Sequence, residues 1–90
     1  MPEAAFRVSG RVQGVGFRWW TRLQARQLDL QGTVRNAADG SVEVHARGEA
    51  AALDELRRRL SSGPPGAHVD AVESIQVDLA SAGEGFQILR

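Results

Sequence analysis

Gly10-Arg11-Val12-Gln13-Gly14-Val15-Gly16-Phe17-Arg18 reads as the end of a strand, a glycine-rich turn and the start of a helix. Gly14 and Gly16 can take a positive φ at little cost. Successive N–H groups in such a turn can face inward as an anion nest, and the following helix adds its N-terminal dipole and unpaired donors. Arg18 falls in or just before the first helical turn, where its charge opposes the dipole unless an anion lies between them. Two readings follow from the stretch alone. It is a small phosphate- or carboxylate-sized anion site with one guanidinium over it, or it is a tight strand-to-helix turn beside a surface arginine. It is not the dinucleotide fingerprint, because the third glycine is missing, and it is not a P-loop, because no Gly-Lys-Ser/Thr follows.

Ahead of the loop, Phe6, Val8, Gly10 and Val12 alternate with Arg7, Ser9 and Arg11, the pattern of a half-buried strand. After the loop the pattern turns helical from Trp19 to about Leu30, with Trp20, Leu23, Gln27 and Leu30 as a stripe and Ala25 and Leu28 beside it. Trp19 lies off that stripe, as an edge-of-core aromatic or as a ligand-stacking ring over the loop. Gln31-Gly32 ends the helix, 33–36 reads as a short strand, and Asp39-Gly40 marks a hairpin turn. In the next strand, Val42, Val44 and Ala46 are predicted inward and Glu43, His45 and Arg47 outward, which makes His45 a solvated residue. A second helix runs from Glu49 to about Ser62 on Leu53, Leu56 and Leu60. Its acidic start and Arg57-Arg58-Arg59 near its end suit the dipole, so the arginine run reads as a solvated helix rather than a nucleic-acid patch. A strand over 69–79 and a short one over 86–89 complete the chain.

The order is β-α-β-β-α-β with a short extra C-terminal strand. This α+β arrangement is the ferredoxin-like split βαβ motif, a two-layer sandwich. It predicts an antiparallel sheet with both helices on one face and the other face open to water. Such a fold hosts many activities and does not choose among them.

Composition narrows the choice. Ninety residues suit a single domain, 1–90. With no cysteine and only His45 and His68, there is no disulfide framework, no thiol nucleophile and no expected metal site. The absence of lysine excludes Schiff-base chemistry. The zero net charge argues against a non-specific nucleic-acid binder. Residues 1–35 nevertheless carry net +4, so the half holding the glycine loop is electropositive. No stretch reaches the ~20 apolar residues of a membrane span, and residues 1–5 have no leader character, so a cytoplasmic protein without membrane partners is expected.

Asn36 is the second residue of interest. It stands at the end of the second strand, and parity with Gly32 and Val34 puts it on the helix-covered face, where Arg18 begins its helix. A half-buried asparagine needs partners. Alternatively, it is an Asx residue stabilising the turn before Asp39-Gly40.

The loop above, together with Gly32-Thr33-Val34-Arg35-Asn36-Ala37-Ala38-Asp39-Gly40-Ser41-Val42-Glu43, closely resembles both signature segments of the acylphosphatase family. Gly48, Gly63-Pro64-Pro65 and Gly85-Phe86-Gln87-Ile88 also look like family features, and the resemblance spans essentially the whole chain. It implies an enzyme, an acylphosphate phosphohydrolase that cleaves the carboxyl–phosphate bond of a small-molecule acyl phosphate to carboxylate and inorganic phosphate. No metal, cofactor or covalent intermediate is implied. The family's phosphate-binding arginine falls on Arg18, its water-orienting asparagine on Asn36, and its phosphate-binding cradle on Gln13, Gly14, Val15, Gly16 and Phe17. Departures are few. Gly16 stands where some members have cysteine, Trp19 and Trp20 are bulkier than usual, Ala37 replaces a frequent hydroxyl residue, and His68 replaces a frequent arginine.

The residue types fit this chemistry. Arg18 can grip two phosphate oxygens and stays charged at any working pH. Asn36 cannot be a general base but can hold a water through its carbonyl. Two other readings remain. One is an RNA-binding module, disfavoured because Gly14-Val15-Gly16-Phe17 lies in a loop and the third strand has no aromatic. The other is a non-catalytic anion- or phosphate-binding regulatory module of the same fold. Nothing suggests an obligate dimer, and a monomer is expected.

Overall fold

A computed structural model describes residues 1–90. The elements run β1 (Glu3–Arg11), α1 (Phe17–Gln27), β2 (Gln31–Asn36), β3 (Val42–Arg47), α2 (Ala50–Ser62), β4 (His68–Ser74) and β5 (Phe86–Ile88). The sheet order is β4-β1-β3-β2-β5. The βαββαβ order, the two helices and the short last strand agree with the sequence reading. The sheet is mixed rather than antiparallel throughout, because β5 pairs parallel to β2, Gly32 opposite Phe86 and Val34 opposite Ile88. That edge pairing carries Leu89 alongside β2, where its N–H donates to the Val34 carbonyl at 2.8 Å.

Alternation places one face of each central strand under the helices. Val8, Val34, Val42, Val44 and Ala46 are fully covered there, and Leu56 and Leu60 of α2 close over them. The predicted α2 stripe is the observed one. The α1 stripe is observed in part: Ala25 and Leu30 are buried and Trp20 and Leu28 pack against the core, but Leu23 and Gln27 are exposed. Helix α1 starts two residues earlier than predicted, and its buried residues are Phe17, Thr21 and Ala25 at i, i+4 and i+8. Leu23 is 54% exposed and Trp19 63% exposed. Leu23 and Gln27 pull the predicted stripe toward solvent, whereas the side facing the sheet is built on Phe17 and the small residues Thr21 and Ala25.

The helix-on-sheet arrangement is the predicted one, but the second face of the sheet is partly covered instead of fully open to water: Thr33, Glu43 and His45 are buried there while Arg7 and Arg35 stay exposed in part. Strand β4 ends at Ser74, and the segment predicted as its continuation to Leu79 crosses this face instead. The Asp78 N–H donates to His45 Nδ1 at 2.9 Å. His45 is 6% exposed, a buried acceptor rather than a solvated strand residue. Glu43 beside it bridges Arg35 at 2.9 Å and Arg7 at 3.5 Å. Burial pushes the Glu43 carboxyl up, but hydrogen bonding and charge from Arg35, then Arg7, hold it below the ordinary 4.5. Arg58 and Arg59 hold Glu55 at about 2, and the Ser41 hydroxyl lowers Asp39. A carboxyl depressed in the folded state stabilises fully above its unfolded pKa and loses that contribution as pH falls through the folded value. Stability is therefore expected to decline on acidification below about pH 4.5. Glu43→Gln should flatten that decline in urea midpoints measured from about pH 6 to about pH 2.

Gly32 sits at φ 148 in the middle of the sheet, and a Cβ there would run into the His45 carbonyl. Gly32→Ala combines backbone strain with overpacking and is expected to cost about 3 kcal/mol or more, read from denaturant midpoints.

Candidate active site

Helix α1 opens on Gly16, in the left-handed region at φ 77, and Gly14 has the same φ. A Cβ at either position would meet nothing within 4 Å. The loop thus requires glycine for its dihedrals rather than for space. No side chain caps the helix, and its first turn holds no acidic residue. The N–H groups of Gly14, Val15, Gly16, Phe17 and Arg18 donate to no group of the protein. Five backbone donors are thereby left for solvent or an anion at the positive end of the helix.

The residues predicted for the cradle divide by task. The Gln13 amide donates to the carbonyls of Ala37 at 2.9 Å and Ser41 at 2.8 Å. Its side chain ties the loop to the β2–β3 hairpin and is thereby committed. The Phe17 ring is 2% exposed and packs on Trp20 at 5.5 Å between centroids. Phe17 anchors the helix start in the core and has only its N–H to offer a ligand.

Arg18 and Asn36 line the same open cavity of about 740 Å³. Helix α1 packs over β2 and β5, which brings the helix start to the end of β2. The guanidinium is half-buried and donates through Nη1 to the Leu89 carbonyl at 3.2 Å. It has no carboxylate partner, since the ion pairs of the structure use Arg7, Arg35, Arg58, Arg59 and the two histidines. The fork is held at one corner by a neutral carbonyl and keeps its other donors and its full charge.

Asn36 Oδ1 is buried without a hydrogen-bond partner. An unpaired buried acceptor costs about 1–3 kcal/mol. The Asx reading of Asn36 fails, because Asp39 makes the turn. Its Oδ1 accepts from the Ser41 N–H at 2.9 Å and from the Ser41 hydroxyl at 2.6 Å. Asn36 is left with an acceptor that a water molecule can satisfy by donating to it.

The sequence reading missed other lining residues. Arg22, Arg26 and Arg90 line the cavity with Arg18. The first two were legible as arginines at i+4 and i+8 from Arg18, one helical face. Trp19 also lines it and is largely exposed. Its ring carries the Arg22 guanidinium 4.3 Å from the centroid. Thr21, behind Arg18 on the sheet side, has a fully buried hydroxyl without a partner.

The chain is similar to known proteins along nearly its whole length. The acylphosphatase family profile matches residues 4–88. An acylphosphatase of Salinibacter ruber is 49% identical over 84 residues, 93% of this chain and 88% of the relative. The crystal structure of acylphosphatase from Bacillus subtilis superposes with a TM-score of 0.90 at 33% identity, covering 100% of both chains. The structure of an acylphosphatase from Coxiella burnetii gives 0.80 at 38% identity, covering 97% of this chain and 93% of that one. With its mixed five-stranded sheet, its uncapped glycine loop and this match along nearly its whole length, the chain belongs to the acylphosphatase family.

Proposed function

We propose that this acylphosphatase hydrolyses its substrates with Arg18 and the N–H groups of Gly14 to Phe17 binding the phosphoryl group and Asn36 orienting the attacking water. The observation that carries the reading is that an arginine free of carboxylates and an asparagine with an unpaired buried carbonyl line one cavity. Arg18 takes two phosphoryl oxygens through its remaining fork donors, and the loop donors take the others. These groups are fixed before reaction, so they stabilise charge that is redistributed on the phosphoryl group in the transition state.

Asn36 Oδ1 accepts one hydrogen of the water and aims its oxygen at phosphorus. The P–O bond to water forms as the P–O bond to the acyl carboxyl breaks, and the bonding pair leaves on the carboxylate. The water proton passes to a phosphoryl oxygen. The carboxylate is a good leaving group, so no protein base is required. Asn36 does not titrate and Arg18 stays charged, consistent with that route.

The zero net charge supports a small-molecule substrate over nucleic acid. No helix is long and apolar enough to cross a membrane. We place the protein in the cytoplasm as a monomer, which analytical ultracentrifugation checks.

The test is steady-state hydrolysis of benzoyl phosphate with and without EDTA, with inorganic phosphate as inhibitor. EDTA-resistant turnover that phosphate inhibits competitively is expected. Phosphate binding without turnover would instead leave a non-catalytic anion-binding module.

A further inference from the structure

We propose that Arg22 and Arg26 form a distal anionic subsite, so that the preferred substrates are acyl phosphates whose short acyl chain carries a second negative group. The inference rests on the assignment of Arg18 and Asn36 to the reacting phosphoryl group and extends it along helix α1.

The two helices treat their arginines differently. In α2, Arg58 and Arg59 both bind Glu55, at i+3 and i+4, Arg59 also meets Gln24 and Gln27, and Arg57, without a carboxylate, donates to the Ser74 hydroxyl and the Val72 carbonyl. In α1, Arg18, Arg22 and Arg26 repeat every four residues on one face, and none of them has a carboxylate. Like charges at i and i+4 repel and destabilise a helix. Arg26, in the last turn, is favoured by the dipole, whereas Arg18 and Arg22 have no such compensation. All three line the cavity that also holds Asn36, and no aspartate or glutamate lines it.

A cleft of one charge sign draws in ligands of the other and raises their local concentration. Trp19 fixes where the second charge is presented, since the Arg22 guanidinium rests 4.3 Å from its ring centroid. The stacked guanidinium keeps its in-plane donors for an anion while it loses freedom to fold away. One helical turn sets Arg22 about 6 Å along the axis from Arg18, and Arg26 about 12 Å. An anion three or four carbons from the acyl carbon, whether carboxylate or phosphate, fits the first of these steps. A neutral acyl chain of the same length gains nothing there.

The experiment compares kcat/KM for succinyl phosphate and butanoyl phosphate, which differ in the distal carboxylate, in EDTA at low ionic strength. Both are measured on the wild type and on R22Q/R26Q. The succinyl-to-butanoyl ratio is expected to fall about tenfold or more in the variant. Being a ratio within one protein, it is insensitive to the fraction folded. Wild-type protein gives a second reading that needs no variant. Raising salt from about 20 mM to about 0.5 M should lower its ratio, because exposed charges are then screened over a few ångströms. A ratio moved less than twofold by both treatments, with both substrates hydrolysed, overturns the distal subsite and leaves the assignment of Arg18 and Asn36 standing. Hydrolysis of neither substrate overturns that assignment, and the subsite with it.

Discussion

Replacing Arg18 with alanine is expected to lower kcat/KM for benzoyl phosphate by about 10³-fold or more and to abolish inhibition by inorganic phosphate. The magnitude corresponds to about 4 kcal/mol of transition-state stabilisation. It follows from the guanidinium's situation. A half-buried arginine at the start of a helix, bonded only to the Leu89 carbonyl and to no carboxylate, contributes its whole charge to whatever anion occupies the cavity. Arg22, stacked on the Trp19 ring, lies one turn further along the helix and does not stand in its place. The variant should fold normally. It loses a single peripheral hydrogen bond, relieves a charge opposed to the helix dipole and places alanine in a helix. The discriminating measurement is phosphate affinity by calorimetry on wild type and variant under the same salt. Unchanged affinity in R18A would remove Arg18 from the phosphate site.

Asn36→Ala is expected to lower kcat by about 10²–10³ while phosphate binding stays nearly intact, as for loss of one positioned polar group. The two variants therefore separate, one acting on binding and turnover together, the other on turnover alone. Truncation also deletes a buried carbonyl oxygen that has no partner in the protein. Removing an unsatisfied acceptor carries little stability cost, so the thermal midpoint should hold or rise slightly. Joint measurement of kcat and Tm is the check. A large loss of phosphate affinity in N36A would make Asn36 part of the cradle instead of the water's anchor.

Local patterning carried much of the architecture. Alternating strands and the Leu53, Leu56, Leu60 stripe of α2 were legible because each depends on a period of two or of 3.6 within one segment. The α1 stripe was legible only in part, because Leu23 is large and apolar yet exposed, while Thr21 is small, polar and fully covered. His45 was misread for another reason. Alternation says which way a side chain points, but not that the chain after Ser74 brings Asp78 across the sheet to cover His45.

The candidate site divides along the same line. Gly14, Gly16, Arg18 and Asn36 could be read directly, since a glycine pair ahead of a helix and a polar residue closing a strand have short-range causes. The loop's conformation is local too, because it needs positive φ and little else. The division of labour inside the cradle required three dimensions. Gln13 is committed to the hairpin carbonyls 24 and 28 residues away, and Phe17 is spent on the core. So did the join of Arg18 to Leu89, which exists because β5 adds parallel to β2 and delivers the end of the chain to the start of α1. The amino-acid order sets which chemistry is available. Long-range packing, through contacts no local period encodes, sets which of those groups are used up and which stay free for a ligand.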